Sequence, residues 1–148
     1  MISQAEPTSE DVIQQEMAKI TLIKANLLRT IDSFREISPW TLRTIRQDLT
    51  QWYQQLPTWM HLSNLTATQD ISETLRRIVY FVHLFYLSAH MLATRAVHGS
   101  QLYSNQPCFS EEMQDALKDG LIAARTTARI LHIQLREGAI FRRCWLCE

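Results

Sequence analysis

Residues 70–97, DISETLRRIVYFVHLFYLSAHMLATRAV, decide the architecture. Asp70 and Glu73 have the spacing of a capping box, which places a helix N-terminus there. Leu75, Ile78, Val79, Phe81, Val82, Leu84, Phe85, Leu87, Met91 and Leu92 then cover every side of a helix. A helix apolar all round belongs at the centre of a bundle, with neighbours around it. Residues 78–94 carry no formal charge, yet they include His83, Tyr86, Ser88 and His90. A membrane span wants roughly 20 predominantly apolar residues. A buried core helix over 71–97 is therefore expected in preference to a span, with Gly99 stopping it in a left-handed conformation.

Three further helices supply the neighbours. Thr8, Ser9, Glu10 and Asp11 open the first, over 9–36. Ile13, Met17, Ile20, Leu27, Ile31 and Phe34 form its seam, broken by Lys24. Ser38 caps the second, over 39–55, and Pro39 suits its first position because the missing N–H has no partner there. Leu42, Ile45, Leu49, Trp52 and Leu56 repeat at heptad spacing until Pro57 ends the helix. Residues 57–69 read as a loop fastened by Trp59, Met60, Leu62 and Leu65, and residues 99–109 as another. Ser110, Glu111 and Glu112 open the last long helix, over 111–137. Its expected buried seam is Met113, Leu117, Leu121, Ala124, Ala128, Leu131 and Leu135, and Gly138 ends it. The final residues, AIFRRCWLCE, read as the opening of a truncated fifth helix. The fold expected is all-α, a bundle of four long helices in a single domain over 1–148.

Composition agrees. Only three Gly and four Pro leave few of the turns that an all-β fold needs. Fifteen basic and fifteen acidic residues give zero net charge, which disfavours a nucleic-acid coat or a polybasic membrane anchor. The first residues, MISQAEPTSEDV, lack the basic start and apolar core of a secretory signal. Cys108, Cys144 and Cys147 are odd in number and make no disulfide framework, so a reducing compartment is expected.

Four groups of residues bear on chemistry. Cys144-x-x-Cys147 supplies half of a zinc tetrahedron, and no second pair completes it. Neither Cys108 nor His132 stands at a supporting spacing, so no metal is expected at Cys144 and Cys147. His83 and His90 share a helix face two turns apart, about 10 Å along the axis. One ion cannot bridge that gap with bonds of about 2 Å. With Tyr86 they are either hydrogen-bonded core residues or the lining of a ligand pocket. Arg125, Arg129, His132 and Arg136 form a stripe, which reads as a solvated face or a phosphate-facing one. Nucleophile motifs and glycine-rich phosphate loops are missing from the sequence, so no catalytic residue and no cofactor are named.

Leu49-Thr-Gln-Trp52 followed by Leu56-Pro57 resembles an "L..W…LP" signature. His83-Leu-Phe-Tyr86-Leu-Ser-Ala-His-Met-Leu92-Ala-Thr-Arg95 resembles "L.L.Y…..LL.R". Gly120-Leu-Ile-Ala123-Ala124-Arg125, ending in Ile130-Leu131, resembles "C..AA..I..IL". In this order the pieces are similar to the central regulatory domain of fungal zinc-binuclear-cluster transcription factors, over residues 42–148. Ala96 stands where that family usually has Pro, and Gly120 where Cys is common. The six-cysteine DNA-binding cluster is not in this sequence. The resemblance implies a nuclear regulatory module with no direct DNA contact and no membrane partner. Its partners would be the transcription machinery or other domains of the same protein, with a small-molecule effector as a further ligand. The runner-up expectation is a small helical enzyme or ligand-binding protein with its pocket at His83, Tyr86 and His90. The chain is expected to be the middle-to-late part of such a domain. Phe81, Phe85 or Tyr86, together with Phe141, Trp145 and Leu146, would then be partly exposed, and the isolated chain would self-associate.

Overall fold

A computed structural model describes residues 8–33, 37–67, 71–103 and 109–138. These residues form α1 (Ser9–Ser33), α2 (Pro39–Gln55), a single 3₁₀ turn (Thr58–Met60), α3 (Leu62–Ala67), α4 (Glu73–Tyr103) and α5 (Glu111–Arg136). No strand occurs among them, and the fold is all-α with four long helices. The expected fifth helix at the C-terminus lies outside the described residues.

The helix starts follow local chemistry. Ser38 Oγ accepts the Thr41 N–H at 3.1 Å, with Pro39 at the first helical position. Ser110 Oγ accepts the Met113 N–H at 3.3 Å, beside Glu111 and Glu112. At α4 the cap is Ser72, whose Oγ accepts the Leu75 N–H at 3.3 Å. Asp70, the expected cap, lies outside the described residues.

Helices α1, α4, α5 and α2 pack around the core in that cyclic order, with α4 making the most extensive contacts. The seams read for α1 and α2 face inward: Ile13, Ile20 and Leu27 are buried, as are Leu42, Ile45, Leu49, Trp52 and Leu56. Met60 and Leu65 are buried beneath them and fasten the connection from α2 to α4. That connection is not the plain loop expected, because the 3₁₀ turn and α3 close their own backbone hydrogen bonds there. Helix α4 is not covered all round by the described residues: Ile78, Phe81 and Phe85 remain partly exposed. Lys24, the break in the α1 seam, places its ammonium 4.8 Å from the centre of the Phe85 ring.

Gly99 does not stop α4, which continues to Tyr103. Among the described glycines only Gly138 has a positive φ, 64°, and it follows the end of α5. In the extra turn of α4 the Ser100 hydroxyl donates to the Ala96 carbonyl at 3.0 Å and accepts the Ile37 N–H at 2.9 Å. An otherwise orphaned, buried backbone donor ahead of α2 is thereby satisfied.

The buried row of α5 is also not the one expected. Ala116, Gly120, Ala123, Ile130 and Gln134 face the core, whereas Leu121, Leu131 and Leu135 are exposed. Small residues let α5 approach α4 closely. A Cβ at Gly120 would lie 2.7 Å from Thr94 Cβ, and the Thr94 hydroxyl donates across the pair to the Ala116 carbonyl at 2.8 Å. Gly120→Ala therefore overpacks this contact. Overpacking costs about 1–3 kcal/mol, offset by about 1 kcal/mol of helix propensity. A net loss of about 0–2 kcal/mol is expected in urea unfolding. The loss should shrink in a Thr94→Ala background, as a double-mutant cycle would show. An additive cycle would mean that Thr94 is not what excludes the side chain.

Candidate functional site

His83, Tyr86 and His90 all point from α4 toward α2 and its following turn. His83 is wholly buried, and its Nε2–H donates to the Met60 carbonyl at 2.7 Å. Its Nδ1 has no hydrogen-bond partner among the described residues. Burial pushes the imidazole down from 6.5 to about 4, outweighing the Met60 bond, with His61 nearby pushing the same way as burial. His83 is accordingly neutral, with its proton on Nε2.

Tyr86 lies in a ring cluster. Its centroid is 5.2 Å from Trp52, 5.4 Å from Tyr53 in a stacked arrangement, and 4.8 Å from His90, edge-on. Tyr53 also meets His61 at 5.0 Å and His83 at 6.0 Å. Burial pushes the Tyr86 phenol up to about 12, with Tyr53 and Asp119 adding to it. Burial also lowers His90, opposed by Asp119, which favours the charged imidazole. The structure thus brings all three sequence candidates together, but against one another and against Trp52 and Tyr53. The contacts are ring to ring, so the cluster is a packed part of the core. Burial in this setting favours the neutral imidazoles and the protonated phenol, and the rings hold one another in place.

No group of three or more His, Cys, Asp or Glu side chains fit to hold a metal occurs among the described residues. Cys108, Cys144 and Cys147 lie outside them. No helix among the described residues is long and apolar enough to cross a membrane.

The second candidate is the outward side of α5, which sequence reasoning placed in the core. Three parallel heptad rows run along this helix. The row Ala116, Gly120, Ala123, Thr127, Ile130, Gln134 faces α4 and the core. One residue on, the row Leu117, Leu121, Ala124, Ala128, Leu131, Leu135 leaves Leu121 55%, Leu131 43% and Leu135 63% exposed. One residue further, the row reads Lys118, Ile122, Arg125, Arg129, His132, Arg136. Lys118 pairs with Asp115 at 3.2 Å. Among the described residues Arg125, Arg129 and Arg136 have no acidic partner, and no acid occurs in α5 after Asp119. On the opposite flank α2 grips α5 through acids: Arg46 reaches Asp119 at 2.7 Å and Asp115 at 3.2 Å, and Arg43 pairs with Glu112. Three of the four acids of α5, Glu112, Asp115 and Asp119, therefore face α2, while its cations without an acidic partner among the described residues lie on the other flank, beside an exposed leucine row. The run of small residues at Ala116, Gly120 and Ala123 was the sequence signal for this register.

Comparison with protein-family models, with curated proteins and with solved structures returns no match for the chain.

Proposed function

We propose that this chain is a regulatory and interaction module similar to the central domain of fungal zinc-cluster transcription factors. It modulates transcription in the nucleus through protein partners, without a DNA-binding cluster and without catalysis of its own. The partners are the transcription machinery or other domains of the same protein, with a small-molecule effector as a further ligand class.

One observation carries this reading. The three stretches behind the resemblance converge in one core. Trp52 of the first packs on Tyr86 of the second, and Thr94 of the second seats Gly120 of the third. Gly120 also accounts for a departure from the family pattern. With Thr94 opposite, there is no room for the cysteine common at that position. The second reading, a ligand pocket at His83, Tyr86 and His90, gains no support from rings that fill one another's space.

A reporter assay tests the proposal. The chain is placed between a heterologous DNA-binding domain and an activation domain in yeast. A coupling of ordinary allosteric size would change reporter output by about fivefold or more. Output equal to that of the same fusion carrying an inert linker of matched length would overturn it.

A further inference from the structure

The exposed face of α5 is built for a particular kind of occupant. Its leucine row spans Leu117 to Leu135, about 27 Å at 1.5 Å per residue, the length of a five-turn helix. Within it, Ala124 and Ala128 form a shallow saddle between two leucine pairs, where another helix can come close. Along one border run Arg125, Arg129, His132 and Arg136, with no acid among them. We infer that this face binds an amphipathic helix whose apolar seam is flanked by acidic residues.

The charge argues against a second copy of this chain. In an antiparallel two-fold pair the leucine–alanine pattern would match itself, but the same flank of each seam lies on the same side of the interface. The two guanidinium rows would then run side by side, with no acid between them. In a parallel pair, the cation row of one copy would meet the flank of the other that α4 already covers. An acidic helix satisfies both features at once, with leucines filling the row and carboxylates meeting the guanidiniums. The inference deepens the interaction-module reading by naming the partner's chemistry, and it rests on that reading for its biological setting. Its test reads the surface directly, so a failed binding assay and a failed reporter assay are separate results.

The probe is a labelled synthetic helix with Leu at the a and d positions of each heptad and Glu at e and g. Its twin carries Lys at e and g. Fluorescence anisotropy with the full chain should show the Glu helix binding, more weakly as salt rises, and the Lys twin at least about tenfold weaker. A triple variant, Arg125→Glu with Arg129→Glu and Arg136→Glu, changes only exposed side chains and should reverse the preference. Leu121→Ser with Leu135→Ser should weaken both helices, with the thermal transition preserved. No binding of the Glu helix, equal binding of the two helices, or a preference untouched by the triple variant would overturn the inference. So would a dimer in light scattering that Leu131→Asp dissociates, which would assign the row to a second copy. Recruitment to phosphatidylserine vesicles without binding of the Glu helix would assign it to a lipid surface and would also overturn it.

Discussion

Trp52→Ala is expected to lower the stability of the fold by about 4 kcal/mol, the largest effect of any single truncation proposed for this chain. Trp52 is 4% exposed, closes the α2 seam and packs its ring 5.2 Å from Tyr86 at a 30° tilt. Tyr86 in turn supports Tyr53 and His90, so the loss loosens three rings and leaves a void between α2 and α4. The indole Nε1–H has no partner among the described residues. Trp52→Phe therefore removes an unsatisfied donor together with some volume, and its cost should be about 1 kcal/mol. Urea unfolding followed by far-ultraviolet circular dichroism measures both. The midpoint should fall sharply for the first variant and slightly for the second. Equal midpoints for Trp52→Ala and the unaltered chain would mean that the ring cluster does not hold α2 to α4.

The second large effect is a loss of stability in mild acid. His83 is wholly buried, with its pKa pushed from 6.5 down to about 4. Nδ1 has no acceptor waiting for a second proton among the described residues. As pH falls below 6.5 the unfolded chain binds a proton that the native state refuses until about pH 4. The stability from neutral His83 is complete above pH 6.5 and drains as pH falls through about 4. At 1.36 kcal/mol per pKa unit the total is about 3 kcal/mol. His90 is shifted in the same direction and adds to the loss. His83→Gln keeps a donor aimed at the Met60 carbonyl and cannot charge. Its urea midpoint should vary less with pH across this window than that of the unaltered chain. If both midpoints were flat from pH 6.5 to 4, the native state would be protonating His83 without cost.

Much of this molecule is legible from local chemistry. Ser38-Pro39 and Ser110 mark helix starts because a hydroxyl beside orphan N–H groups acts within one turn, whatever surrounds it. The α1 and α2 seams are legible because each helix has a single apolar row, so only one face can turn inward. The grouping of His83, Tyr86 and His90 on one side of α4 is legible from their spacing. That Trp52, Tyr53 and Met60 fill the space around them is not, because those partners come from α2 and the turn after it.

Gly99 shows the limit from another side. Glycine permits a stop without requiring one. Here the helix runs on, and Ser100, its next residue, gives the Ile37 N–H, 63 residues away, its acceptor.

Sequence alone determined that this chain is all-α, where α1, α2 and α5 begin, and which faces of α1 and α2 make the core. Tertiary structure decided between the two candidate faces of α5. That helix has two adjacent rows with apolar content, and hydrophobicity favours the one rich in leucine. The core took the row of Ala116, Gly120 and Ala123, and at Gly120 the Thr94 side chain stands too close for a larger residue. Packing distance outweighed side-chain hydrophobicity there, and it turned the leucines, with the cations beside them, toward the outside.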